Sequence, residues 1–315
     1  MDVELLRLLC CPRDRTAPLR VAEDSLICPT CDATFPIVDG IVVFLDAQQL
    51  SEEEEREKEF RSAESEEYDD LYAGYTDAVE VPSVMRRLGR PVGPMLDAGC
   101  GTGRITRAMG ALGQPIVAID YSDACLRRMI RRCEGIRVLP VQSDLRSIPV
   151  RSGAMSAVTC MEVHQHVRDT DRPRFLAELA RVLAPDAPLV ISTFNYNLIF
   201  RAWRLLGNEG ARRGEHVLGN DYPYRRFERD EFARELSAVL EVRELTGIRN
   251  IPARSIAQAI RRLGARRAGD RFQHYMTERG LRADHFLEHT AVARAVGFFW
   301  LARAVKRGDP TSAAA

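Results

Sequence analysis

The sequence predicts an α/β protein: a mostly parallel sheet flanked by helices, with a small cysteine-bearing unit ahead of it. Three observations carry that expectation. Between residues 94 and 195, short apolar runs alternate with amphipathic helical stretches, which is how parallel strands are connected. The stretch Met95-Leu-Asp-Ala-Gly-Cys-Gly-Thr-Gly-Arg-Ile-Thr106 compresses a strand, a tight glycine turn and a helix start. Four of the eight cysteines, Cys10, Cys11, Cys28 and Cys31, crowd the N-terminus.

Composition narrows the class. A chain of 315 residues, 45% hydrophobic and 29% charged, can bury a core and hold one large and one small domain. No apolar run reaches the roughly 18 residues of a membrane span, and no signal-peptide core opens the chain. A cytoplasmic location is expected. The 45 basic and 45 acidic residues cancel, so the basic footprint of a nucleic-acid binder is missing. Nearly all the basic residues are arginine; the lysines are Lys58 and Lys306.

Residues 1–46 are expected to fold as a zinc-ribbon-like unit. Cys11-Pro-Arg-Asp14 and Cys28-Pro-Thr-Cys31 are two knuckles, the first with an aspartate where a second cysteine would complete the pattern. Without a secretion signal such spacing reads as a metal site rather than a disulfide framework. Cys11, Asp14, Cys28 and Cys31 are therefore the expected zinc ligands, with Cys10 as the alternative fourth. Phe35–Phe44 reads as strand, turn, strand. These residues resemble the zinc-ribbon domain of the small activator protein of tRNA methyltransferases. The resemblance implies a structural or docking role, because a closed four-ligand site leaves zinc no open position.

Residues 47–90 read as an acidic linker and N-terminal helices. From Ser51 to Glu80 there are 13 acidic residues against three basic ones, a solvated face for the most part. Tyr68, Tyr72 and Tyr75 cluster at its end, and at least one of them is expected to touch cofactor or substrate.

The turn at residues 95–106 determines the ligand class. The dinucleotide fingerprint needs a glycine where Arg104 stands, and the phosphate loop needs a lysine that is absent. Asp97 is a poor neighbour for a pyrophosphate and a good one for a cation. These residues resemble class I S-adenosylmethionine-dependent methyltransferases, whose first motif is acidic-x-G-x-G-x-G. The resemblance implies a seven-stranded, mostly parallel, Rossmann-like sheet over residues 91–308. It implies S-adenosylmethionine held by Asp97, Gly99, Cys100, Gly101, Gly103, Asp120, Tyr121, Ser143, Asp144, Leu145 and Met161. Asp120, ending the second strand, matches the residue that takes the ribose hydroxyls. Asp144 matches the one beside the adenine.

The remaining elements follow in order. Strands are expected at residues 94–98, 115–120, 136–142, 154–161, 189–194 and 240–246, with a final antiparallel strand over 296–306. The helix at 122–133 carries Arg127, Arg128, Arg131 and Arg132, read as a solvated face. His164 and His166 stand after the fourth strand and are the candidate catalytic bases. Residues 195–227 read as a lid insertion whose apolar start, 195–206, could instead be core or a peripheral membrane helix. Tyr222, Tyr224 and Arg225 resemble a substrate-facing loop. Residues 252–290 form a helical insertion.

The expected activity is methyl transfer to a small molecule on oxygen, nitrogen or carbon. The alternatives are an RNA base methyltransferase, suggested by ribbons on such enzymes, and a non-catalytic cofactor-binding scaffold. The acid-rich ribbon weighs against RNA. A homodimer is a further expectation.

Overall fold

The structure is a computed structural model and describes residues 2–45, 55, 75–205, 215–218, 222–250, 260, 264–275, 281–288 and 290–307. Its centre is one continuous sheet. In the N-terminal unit, helix α1 (Val3–Leu6) precedes β1 (Arg20–Val21), β2 (Ser25–Ile27), β3 (Thr34–Val38) and β4 (Ile41–Val43). After α2 (Tyr75–Leu88) come β5 (Met95–Ala98), α3 (Arg104–Gly110), β6 (Ile116–Asp120), α4 (Asp123–Arg132) and β7 (Val138–Gln142). Then follow β8 (Ala157–Cys160), α5 (Arg172–Val182), β9 (Pro188–Phe194) and α6 (Leu198–Leu205). The hairpin β10 (Glu215–Leu218) and β11 (Tyr222–Arg225) leads to α7 (Arg229–Ser237) and β12 (Glu241–Ile248). Helices α8 (Arg266–Tyr275), α9 (Leu281–Glu288) and α10 (Ala291–Val296) precede the last strand, β13 (Phe299–Val305).

The strand order is β1-β2-β3-β4-β7-β6-β5-β8-β9-β13-β12. From β7 to β12 this is the seven-stranded sheet expected, parallel except for β13, which runs antiparallel to both β9 and β12. The central strands read as uninterrupted apolar runs because both faces are covered; Met95 to Ala98 are all buried. The chain walks outward from β5 to β6 and β7, then returns to β8 on the other side of β5. That reversal opens a crevice at the carboxyl ends of the strands, where ligands of such sheets sit.

The ribbon differs from a separate unit placed in front. Its β4 pairs in parallel with β7, Val42 opposite Val141 and Val43 opposite Gln142, which extends the sheet to 11 strands. The physical reason is the edge: an uncovered β7 would present unpaired backbone groups. Ion pairs fasten the join, from Arg127 to Asp39 and from Arg137 to Asp2 and Glu4. Arg127 therefore docks the ribbon, although the spacing alone suggested only a solvated face.

No helix among the described residues is long and apolar enough to cross a membrane. In α6, Phe200 is buried while Leu198 and Leu205 stand exposed.

Candidate active site and metal centre

The glycines of the turn divide the work. All three adopt the left-handed backbone, with φ of 77° at Gly99, 51° at Gly101 and 84° at Gly103. A Cβ on Gly99 would lie 2.2 Å from Val163 Cγ2, and one on Gly103 would lie 2.5 Å from Met129 Cγ. These two are glycine because neighbours press on them. A Cβ on Gly101 would meet nothing within 4 Å. There the backbone faces open space, as a turn that admits a ligand should.

Carboxylates hold the turn from two sides. Asp97 is 1% exposed and accepts from the Thr106 hydroxyl at 2.6 Å and the Thr159 hydroxyl at 2.8 Å. Burial raises its pKa, and the two hydroxyls work against that shift. It braces the turn from the interior and does not stand in the crevice, which corrects its expected role as the cation's direct partner. Asp120 is half-buried at the end of β6 and accepts from Gly101 N–H at 2.7 Å and Ser122 N–H at 2.9 Å. It lies beside the open glycine, as a ribose-binding carboxylate requires.

The other expected cofactor residues gather at the same strand ends. Gln142 Nε2 donates to the Tyr121 carbonyl at 3.0 Å, tying β7 to the residue after Asp120. Ser143 is buried, and Asp144 accepts from Arg146 N–H and Nε, each at 2.7 Å. Leu145 Cδ1 is 3.8 Å from the Cβ position of Gly99. The Cys100 thiol donates to Gly101 O at 3.7 Å, and Met161 packs into the core with Val190 and Phe299. An open backbone approach, a carboxylate and a loop of mixed polarity in one crevice fit an adenosyl ligand.

The two histidines separate. His164 is 0% exposed, its Nδ1 3.1 Å from Thr193 Oγ1 and its Nε2 2.9 Å from Glu235 Oε2. Phe227 and Phe232 pack against the ring, and burial lowers its pKa. Such an imidazole cannot reach a substrate, so its reading as a catalytic base is corrected: it is a buried tie between β8, β9 and α7. His166 is half-buried and stands edge-on to Phe194 at 6.4 Å. Phe194 in turn meets Tyr224 at 5.1 Å.

Of the expected substrate residues, Tyr224 joins this aromatic group; it is 9% exposed, and its hydroxyl accepts from Arg226 at 2.9 Å. Arg225 turns away. It pairs with Asp169 and Glu231 and lies 5.1 Å from the Phe227 ring, which corrects it to an anchor for the β11 segment. Tyr68 and Tyr72 lie outside the described residues, as do the side chains of Tyr75 and Tyr222. Sequence reasoning missed Glu80, Arg104, Glu162 and Arg249, which converge at the crevice. Arg104 pairs with Glu80 at 2.9 Å, and Arg249 pairs with Glu162 at 3.2 Å. Arg104 drew notice only as the residue that breaks the dinucleotide pattern.

At the other end of the ribbon, one ligand atom from each of Cys11, Asp14, Cys28 and Cys31 lies within 4.8 Å of all the others. Cys11 Sγ and Cys31 Sγ are 3.7 Å apart, and Cys28 Sγ is 3.3 Å from Asp14 Oδ2. A tetrahedron with zinc–sulfur bonds of about 2.3 Å has sulfur–sulfur edges of about 3.8 Å, so the thiol pair fits. Arg13 N–H points at Cys11 Sγ and Thr30 N–H at Cys28 Sγ, each at 3.4 Å, which suits thiolates. Burial pushes the Cys11 thiol up to about 12, while the Thr16 N–H holds the Asp14 carboxyl below its usual range. Cys10 lies outside this group; it is buried, and its N–H donates to Pro149 O.

The same division appears in comparisons with known proteins. Residues 95–186 match the family described as "Methyltransferase domain", and residues 2–40 match "Trm112p-like protein". The chain is 32% identical over 141 residues to the ubiquinone biosynthesis O-methyltransferase of Xanthomonas oryzae pv. oryzae. That match covers 43% of this chain and 57% of the relative, so the chain spans little more than half the length of such curated relatives. An uncharacterized methyltransferase of Bacillus subtilis is 33% identical over 102 residues, 32% of this chain and 42% of the relative. Among solved structures, the 1,6-didemethyltoxoflavin-N1-methyltransferase of Burkholderia thailandensis superposes with a TM-score of 0.52 at 17% identity. It covers 93% of this chain and 100% of that one. A phosphoethanolamine N-methyltransferase of Haemonchus contortus gives 0.54 at 13% identity, over 82% of this chain and 61% of that one. At these identities the two structures speak for the fold. The chain thus carries a class I methyltransferase domain over residues 95–186 and a Trm112p-like domain of the zinc-ribbon type over residues 2–40.

Proposed function

We propose that this protein is a cytoplasmic S-adenosylmethionine-dependent methyltransferase acting on a small molecule. The observation that carries the reading is the turn at Gly99–Gly103, open at Gly101 and pinned by Asp120. When bound, S-adenosylmethionine supplies a methyl group on a sulfonium, the leaving group of an in-line displacement. Asp120 accepts from the ribose hydroxyls, and Ser143, Asp144 and Leu145 hold the adenine. Cys100 and Gly103 shape the turn; Asp97 braces it from within.

The protein's part in the chemistry is mainly alignment of acceptor and methyl group, which is worth many orders of magnitude in rate. His166, Phe194 and Tyr224 form the acceptor-side wall. For a hydroxyl acceptor His166 is the imidazole that takes the proton in this reading; an acceptor already deprotonated needs no base. The named role of the Xanthomonas relatives in ubiquinone biosynthesis supports a small acceptor methylated on oxygen. The zero net charge supports the same class over RNA.

Zinc held by Cys11, Asp14, Cys28 and Cys31 has a structural role in this reading. Leu198 and Leu205, exposed on α6, support a lid with an apolar face. A contact with a membrane surface or a second copy of the chain would form on that face.

The experiment is transfer of labelled methyl from S-adenosylmethionine to a lysate freed of small cofactors, with Asp120→Ala as control. Label in the solvent-extractable fraction supports the small-molecule reading. Label in RNA overturns the acceptor class, and failure to bind S-adenosylmethionine overturns the activity itself.

A further inference from the structure

With Asp97 enclosed by two hydroxyls, the cationic amino-acid end of the cofactor needs a different partner. The structure gathers candidates at the mouth of the crevice. Arg104, at the start of α3, reaches Asp77 at 2.8 Å, Glu80 at 2.9 Å and Glu162 at 3.8 Å. Arg249, just past β12, reaches the same Glu162 oxygen at 3.2 Å and lies 4.6 Å over the Phe299 ring. Among these named groups, three carboxylates share two guanidinium groups. Such an excess favours a cation.

Two further observations point to a ligand. Glu80 is 0% exposed, and its Oε1 is buried with no hydrogen-bond partner. A carboxylate oxygen enclosed in this way is costly until a donor arrives. Glu162 and Arg249 both hold left-handed backbone, with φ of 58° and 57°, although neither is glycine. Strain of this kind concentrates at functional sites. Position completes the case. Val163, the next residue after Glu162, is the one that forbids a side chain on Gly99, so Glu162 adjoins in sequence the residue packed on the glycine turn.

We propose that Glu162 and Glu80 form the receptor for the α-ammonium of the cofactor, in the place Asp97 was expected to fill. Arg104 and Arg249 are positioning residues that hold the two carboxylates close despite their like charge. The assignment rests on the S-adenosylmethionine reading above and names the residues of one end of that site.

The test is calorimetry on the full chain with two ligands. S-adenosylhomocysteine carries the ammonium but no sulfonium; 5′-methylthioadenosine lacks the whole amino-acid end. Glu162→Gln is expected to weaken S-adenosylhomocysteine about tenfold or more, the scale of one charge-assisted hydrogen bond. Its affinity for 5′-methylthioadenosine should stay unchanged. Glu80→Gln should act in the same direction; Glu162, nearer the surface, keeps the test open if the Glu80 variant does not fold. An equal loss for both ligands, or no loss for either, overturns the proposal. Wild-type protein that binds neither ligand overturns the S-adenosylmethionine reading itself, which separates the two failures.

Discussion

The hydroxyl of Ser147 donates to the carbonyl of Pro12 at 3.1 Å, joining the loop after β7 to the metal knuckle. Arg15, one residue past Asp14, strengthens the join by donating to Ile148 O at 3.0 Å and pairing with Glu178 at 3.0 Å. On the other flank, Phe44 N–H donates to Gln142 O at 2.9 Å. The ribbon thus grips both ends of the segment 143–147 that carries Asp144.

Metal removal should therefore be felt in the nucleotide site. Cys28→Ser, or treatment with a strong chelator, is expected to weaken S-adenosylhomocysteine about fivefold, the worth of about 1 kcal/mol of lost anchoring. Metal content by atomic emission and affinity by calorimetry, measured on the same sample, check this. Full metal loss with unchanged affinity would show that the knuckle does not support the loop.

Asp120 is expected to matter through both of its contacts. Asp120→Ala removes the acceptor for Gly101 N–H and Ser122 N–H as well as the proposed ribose partner. Cofactor affinity should fall by about two orders of magnitude, the sum of about two charge-assisted hydrogen bonds. Calorimetry is again the measurement, and an unchanged affinity would remove Asp120 from the site.

The glycines should fail in different ways. Gly99→Ala drives a methyl group into Val163 and is expected to cost about 1–3 kcal/mol of stability. Thermal denaturation would register that as a lower midpoint. Gly101→Ala has room for its methyl, so stability should fall by only about 1 kcal/mol for its left-handed backbone. Its main effect should be on ligand binding, because the methyl group stands where the ligand approaches. Equal binding by the Gly101→Ala protein would place the ligand elsewhere.

His164 predicts a pH dependence of stability. Its folded pKa lies below the ordinary 6.5 because burial disfavours the charged ring. Between the two values the unfolded chain binds the extra proton, so stability rises with pH there. The contribution is complete above about 6.5 and is lost as pH falls toward the lower folded value. Thermal midpoints across this range should slope for the wild type and flatten for His164→Gln. The substitution should also cost about 1 kcal/mol, since it removes the part-buried hydrogen bond between His164 and Glu235. Midpoints that slope equally in both proteins would assign the dependence to another group.

Much of the fold was legible before any coordinates. The strands β5 to β9, the glycine turn and the two knuckles are local patterns, each written in fewer than a dozen residues. Apolar runs become buried parallel strands because nothing else can cover both of their faces. Cysteines spaced as Cys28 and Cys31 converge because the intervening turn returns the chain on itself. Asp97 and His164 were read correctly as the ends of strands and incorrectly as groups facing the crevice. Which way a strand-end side chain turns depends on the partners that distant segments bring. Thr159 reaches Asp97 across 62 positions, and Glu235 reaches His164 across 71. The charge cluster at Glu162 is assembled from α2, α3, the end of β8 and the end of β12, with Arg249 87 positions away. The ribbon's place on β7 is of the same kind. A periodic pattern encodes what one segment needs to bury, and only the packing of segments far apart in the chain determines which of them supplies it.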